Sequence, residues 1–174
     1  PTPPPELPDP AVARLPRLVL PEHSHLVVQR ALGERPAFTD AIDRRNYLEA
    51  LRQARTLMRI RLHAWALVGG EARLLLTPPD AAAVSRLVQT VGRHYVSAHN
   101  RRHGRRGTLW DGRFSCAVLE PGAACLDAMV WIDAASGEPE ASSAAHHLGA
   151  RRDPWLVDPP EFWALGNTPF ERET

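Results

Sequence analysis

Two apolar runs joined by a glycine pair constrain this chain more than any other feature. Ile60–Leu67 and Arg73–Thr77 have the length of strands rather than helices. Gly69-Gly70 between them is a tight-turn signal, so the pair reads as an antiparallel hairpin. What flanks the hairpin sets the rest of the plan. Upstream, Thr39-Asp40 offers a helix start. Ile42, Leu48, Leu51 and Ala54 then recur at helical spacing among Arg44, Arg45, Glu49 and Arg52. Downstream, Pro78-Pro79-Asp80 ends the strand and opens a helix from Ala81 to about Arg102. Val84, Leu87, Val88, Val91 and Tyr95 form its apolar stripe, with Arg86, Arg93, Ser97, Asn100 and Arg101 opposite. Two short β-rich runs, Leu18–Leu20 and Leu26–Val28, precede all this, broken by Pro21. Arg113–Leu119 reads as a further strand, and Pro121–Ala134 as a third helix packed through Leu126, Met129 and Val130. Antiparallel strands alternating with helices make an α+β fold.

The ends differ from the middle. Pro1 to Pro10 holds six prolines and no periodicity, so residues 1–12 are expected to form a disordered tail. Residues 13–135 are expected to form the folded domain. Residues 136–174, rich in Ala, Pro and Ser, read as an irregular extension anchored by Phe162-Trp163. A length of 174 residues suits one domain with a substantial core. No apolar run reaches the length of a membrane span and no signal-peptide pattern opens the sequence, which leads to the expectation of a cytoplasmic protein without membrane partners. The two cysteines, Cys116 and Cys125, lack metal-ligand spacing and read as free thiols.

Charge is distributed unevenly. Between Val84 and Phe114 stand seven arginines (86, 93, 101, 102, 105, 106 and 113) against one acid, Asp111, about +6 in a chain whose net charge is +1. The remainder is therefore acidic. Such an asymmetry is the footprint of a phosphate-backbone binder, although a solvated helix end and loop would look similar. All cationic residues but the histidines are arginine, the side chain better suited to bidentate phosphate contacts.

The loop Gly107-Thr108-Leu109-Trp110-Asp111-Gly112-Arg113-Phe114 resembles the GTLWxGRF signature of REP-associated tyrosine transposases, the insertion-sequence-200-like branch of the HUH single-strand nucleases. Ala13–Pro21 and Val27–Arg30 are similar to that family's opening strand region, and Leu74–Pro78 to the strand that follows its metal-binding histidines. The resemblance spans roughly Ala13 to Ile132. It implies a ferredoxin-like antiparallel sheet with helices packed on one face, and DNA, hairpin or single-stranded, as the partner.

It also implies a reaction that this sequence is not equipped to perform. Active relatives hold magnesium or manganese with two histidines on a central strand and attack DNA with a tyrosine in a YIxxNP motif. The histidine positions here are Glu71 and Arg73, the tyrosine position is Trp131, and Ala135-Ser136 replaces Asn-Pro. A carboxylate–guanidinium pair is no match for two neutral imidazoles, and indole has no hydroxyl. No catalytic residue, metal ligand or cofactor is therefore expected. Tyr47 and Tyr95 are the only tyrosines; Tyr95 falls on an apolar stripe. His25 and His63 with Glu71 could form a makeshift metal site, but single histidines on strands are more often structural. His146-His147 reads as surface.

The leading expectation is an inactive transposase-like protein that still binds DNA. Its contacts would come from Arg86, Arg93, Asn100, Arg101, Arg102, Arg105, Arg106, Trp110 and Arg113, with Arg73 gripping a phosphate or pairing with Glu71. Trp110 would either stack on a base or anchor the loop from within, and Trp131 would either stack on a base or plug the vacated pocket. The alternatives are a metal-dependent transposase or nuclease with a relocated site, and an interaction module without nucleic acid.

Overall fold

The computed structural model describes residues 17–34 and 36–166. The Pro-rich tail and the last residues of the extension lie outside the described residues. Nine elements follow in order: β1 (His25–Arg30), α1 (Ala41–Leu57), β2 (Arg61–Val68), β3 (Glu71–Thr77), α2 (Ala83–Arg102), β4 (Ser115–Val118), α3 (Ala123–Asp133) and the single-turn α4 (Ala144–His147) and α5 (Pro160–Trp163). Every strand pairing is antiparallel and the sheet order is β2-β3-β1-β4, the split βαββαβ arrangement of a ferredoxin-like fold. The β2–β3 hairpin turns at Gly69, whose φ of +50° is a backbone state that glycine enters without strain.

Local chemistry sets the helix ends. Asp40 caps α1, its carboxylate accepting from the Ile42 and Asp43 amides at 2.9 and 3.1 Å. Asp43 reaches back to the Thr39 amide at 3.1 Å. Helix α2 begins at Ala83, two residues later than expected, because Asp80 first closes a turn on the Ala82 amide. It ends in a Schellman motif: Gly104 sits at φ +61° and the Arg105 amide donates to the Asn100 carbonyl at 2.8 Å.

Strand alternation divides the sheet's side chains between two cores. Val27, Leu62, Trp65, Leu67, Ala72, Leu74 and Leu76 face α1 and α2, meeting Tyr47, Leu51, Ala54, Val84, Leu87, Val91 and Tyr95. Ala64, Ala66 and Leu75 face the other way, against Cys125, Ala128, Met129 and Ile132 of α3 and Phe162 of α5. The expectation of helices on one face is corrected here. The α+β, ferredoxin-like plan stands, but α3 covers the opposite face, where two alanines on β2 leave room for it.

Three further expectations change. Leu18–Leu20 forms no strand. Val130 is 67% exposed, so α3 packs through Cys125, Ala128, Met129 and Ile132 instead. His147 is buried, its two ring nitrogens meeting the Asp133 carboxylate and the His63 carbonyl, because residues 141–143 bind back along the open edge of β2. Leu67 N donates to Ala141 O at 2.8 Å and Ser143 N to Trp65 O at 2.8 Å, covering an edge that would otherwise invite pairing with other chains. Among the described residues no helix is long and apolar enough to cross a membrane.

Candidate nucleic-acid interface

The arginines of α2 and its following loop divide into two groups. Arg86 pairs with Asp80 at 2.7 Å. Arg102 is held by both Asp40 and Asp43, the latter at 2.7 Å, and these bonds raise its already high basicity. Arg102, among the residues expected to contact DNA, here ties the end of α2 to the start of α1. The other five, Arg93, Arg101, Arg105, Arg106 and Arg113, form no ion pair with any described residue. All are exposed except Arg105, which is half-buried. Arg101 also lies in the last turn of α2, where the helix dipole favours cations.

The loop is built to hold its shape. Asn100, expected to touch DNA, spends its side-chain amide on the Gly107 carbonyl at 2.8 Å and so fixes the loop's entry. Leu109 is buried; its carbonyl accepts from Leu32 N at 2.9 Å, and Asp111 N donates to Arg30 O at 2.8 Å, so the loop runs beside the end of β1. Between these bonds Trp110 turns inward. Its ring lies 6.2–6.3 Å from those of Phe38, Tyr47 and Tyr95, an aromatic cluster under α1 and α2. Its indole nitrogen is buried without a partner. The base-stacking role for Trp110 is thereby replaced by anchorage.

The three positions that the family resemblance matches to catalytic residues do meet. Glu71 and Arg73, two apart on β3, share the α3 face of the sheet. Arg73 pairs with Glu71 at 2.8 Å, and its guanidinium carbon lies 3.8 Å from the centroid of the Trp131 ring on α3. Arg30, opposite Glu71 in the β1–β3 register, takes the second carboxylate oxygen at 2.8 Å. Burial works to raise the Glu71 pKa, but the two guanidiniums outweigh it and hold the carboxyl below its ordinary value. The cluster is thus a charge-compensated chain, Arg30–Glu71–Arg73, capped by a cation–π contact. Trp131 remains 42% exposed. Arg73 does not join the α2 arginines: it shares the α3 face of the sheet, whereas α2 packs on the other.

His25, His63 and Glu71 do not converge. His25 bonds Leu20 N and His23 O; His63 bonds Val157 O and Thr77 Oγ1 at 2.6 and 2.8 Å, at the end of β3 remote from Glu71. Both tyrosines are buried, Tyr47 donating to Gln29 at 3.2 Å and Tyr95 to the Ala37 carbonyl, and burial pushes both phenols above their ordinary pKa.

The residues that sequence reasoning missed cluster around Asp43. Its buried carboxylate accepts from Thr39, Arg102 and His103. Burial alone would raise its pKa, but those donors prevail and lower it to about 2. A depressed carboxyl contributes stability that is complete above its unfolded value near 3.9 and is lost as pH falls toward the folded one. Acid titration followed by circular dichroism should therefore show stability falling between about pH 4 and 2, and Asp43→Asn should flatten that fall while lowering stability at pH 7.

No protein-family model and no curated protein matches this chain. Solved structures do. The chain is similar to a REP-associated tyrosine transposase solved bound to a REP hairpin, with TM-score 0.61 and 13% identity over 86% of this chain and 93% of that one. A looser likeness, TM-score 0.47 and 18% identity over 62% of this chain and 87% of that one, is to a candidate transposase from Deinococcus radiodurans. With the sheet order, the two-sided helix packing and the meeting of Glu71, Arg73 and Trp131 in place, the first of these likenesses establishes that the chain has the fold of a REP-associated tyrosine transposase.

Proposed function

We propose that this chain is a transposase-like DNA-binding protein that holds hairpin or single-stranded DNA through α2 and the loop after it, and does not cleave it. The observation that carries the reading is the set of five arginines, 93, 101, 105, 106 and 113, with no carboxylate partner among the described residues. Within this segment Asp80, Asp40 and Asp43 answer only Arg86 and Arg102. Phosphates would supply the missing counter-charge. The structural neighbour bound to a REP hairpin supports DNA of that form as the partner.

The absence of cleavage is argued from the residues themselves. Glu71 and Arg73 neutralise each other, and Arg73 covers one face of Trp131. Metal ligation there would require breaking the pair and expelling a cation. Neither tyrosine hydroxyl reaches solvent, which weighs against a relocated nucleophile.

The test combines two readouts. Fluorescence anisotropy with labelled hairpin, single-stranded and duplex oligonucleotides, across a salt series, should show binding that weakens steadily with salt and favours the first two. The same mixtures with magnesium or manganese, run on a denaturing gel, should show no cleavage and no protein–DNA adduct. An adduct abolished by Tyr95→Phe would overturn the inactive reading; salt-insensitive or absent binding would overturn the DNA-binding one.

A further inference from the structure

We propose that Asp43, His99 and His103 form a binding site for a divalent transition cation of the zinc class, joining the first turn of α1 to the last turn of α2. His99 and His103 are four residues apart and so lie on one face of α2, their rings 4.4 Å apart between centroids. Asp43 comes from α1, and one ligand atom of each of the three lies within 4.8 Å of the others. His103 Nε2 is 3.0 Å from both Asp43 oxygens. Bonds of about 2.0–2.2 Å to one centre at angles of about 90–110° place neighbouring ligand atoms about 3–3.5 Å apart, so closing the 4.8 Å group to that spacing completes the set.

The second, independent observation is His99 itself. It is 2% exposed, and neither of its ring nitrogens has a hydrogen-bond partner. Buried polar nitrogens are almost always satisfied, so this imidazole lacks what a cation would supply. The carboxylate is already oriented: Thr39 N donates to one oxygen at 3.1 Å and Arg102 to the other at 2.7 Å. Arg102 Nη1 also lies 3.1 Å from His103 Nε2, so its guanidinium must swing toward Asp40 as the cation enters. Arg102 is in turn held by Asp40, so its charge is partly answered outside the site. Two imidazoles and one carboxylate suit zinc over magnesium or calcium. Bound there, the ion would fix the helix end from which Arg105 and Arg106 emerge.

The experiment uses untagged, chelator-stripped protein titrated calorimetrically with zinc chloride in a non-coordinating buffer. The expected result is one zinc per chain, with affinity at least about tenfold weaker in His103→Gln and in His99→Leu. His103 is partly exposed, so its variant stays folded, which circular dichroism checks; the buried His99 variant is read only if its spectrum is native. His146→Gln, in a second imidazole–carboxylate group whose ring nitrogens all have partners, should leave the affinity unchanged. Magnesium should give no comparable saturable heat. No saturable zinc binding by the parent, or one-to-one binding that survives in the folded His103→Gln variant, overturns the site.

Discussion

Replacing Arg101 and Arg106 together by glutamine should flatten the dependence of log affinity on log salt by about 1.4, at about 0.7 per phosphate contact on a single strand. If the two proteins converge near 1 M salt, the variant binds about 25-fold more weakly at 0.1 M, and all sequences suffer alike. Both side chains are exposed and unpaired, so the substitutions remove charge without disturbing packing. Arg86→Gln is the internal comparison. Its guanidinium is already paired with Asp80 at 2.7 Å, so its effect on the slope should be smaller. An unchanged slope in the double variant would take the α2–loop segment out of the DNA interface and with it the principal support for the proposed function.

Trp110→Ala should act chiefly on stability. The ring fills a place among Phe38, Tyr47 and Tyr95, and removing a buried aromatic costs about 3–5 kcal/mol. The lower end applies, because the ring is only part-buried and its indole nitrogen makes no hydrogen bond that would be lost. At about 2–4 °C per kcal/mol for a chain of this size, Tm should drop by about 6–12 °C. DNA affinity would fall as a consequence, through loosening of the 107–113 loop, and Trp110→Phe should restore most of both. Calorimetry and anisotropy on the same preparations separate the causes. Lost affinity at unchanged Tm, with the salt slope preserved, would mean that the ring leaves its cluster to stack on a base.

The elements themselves were legible in the sequence because their determinants are local. The Gly69-Gly70 turn, the Asp40 cap and the apolar stripe of α2 each depend on residues within a few positions. The same locality made the basic segment visible, along with the three positions at which Glu71, Arg73 and Trp131 stand. What locality cannot reach is which groups answer one another across the fold. Arg101 and Arg102 are neighbours in one basic run, yet only Arg102 meets Asp40 and Asp43, because α1 packs beside α2. Trp110 sits in a basic loop but faces inward, since the loop's backbone bonds to Leu32 and Arg30 dictate its direction. The strand from Leu62 to Leu67 was legible, but that both its faces are covered, the second by α3, is shown only by the packed chain. The spacing of His99 and His103 was present in the sequence as well. Their carboxylate, Asp43, comes from a different helix, and a site divided between two helices exists only once they are packed together.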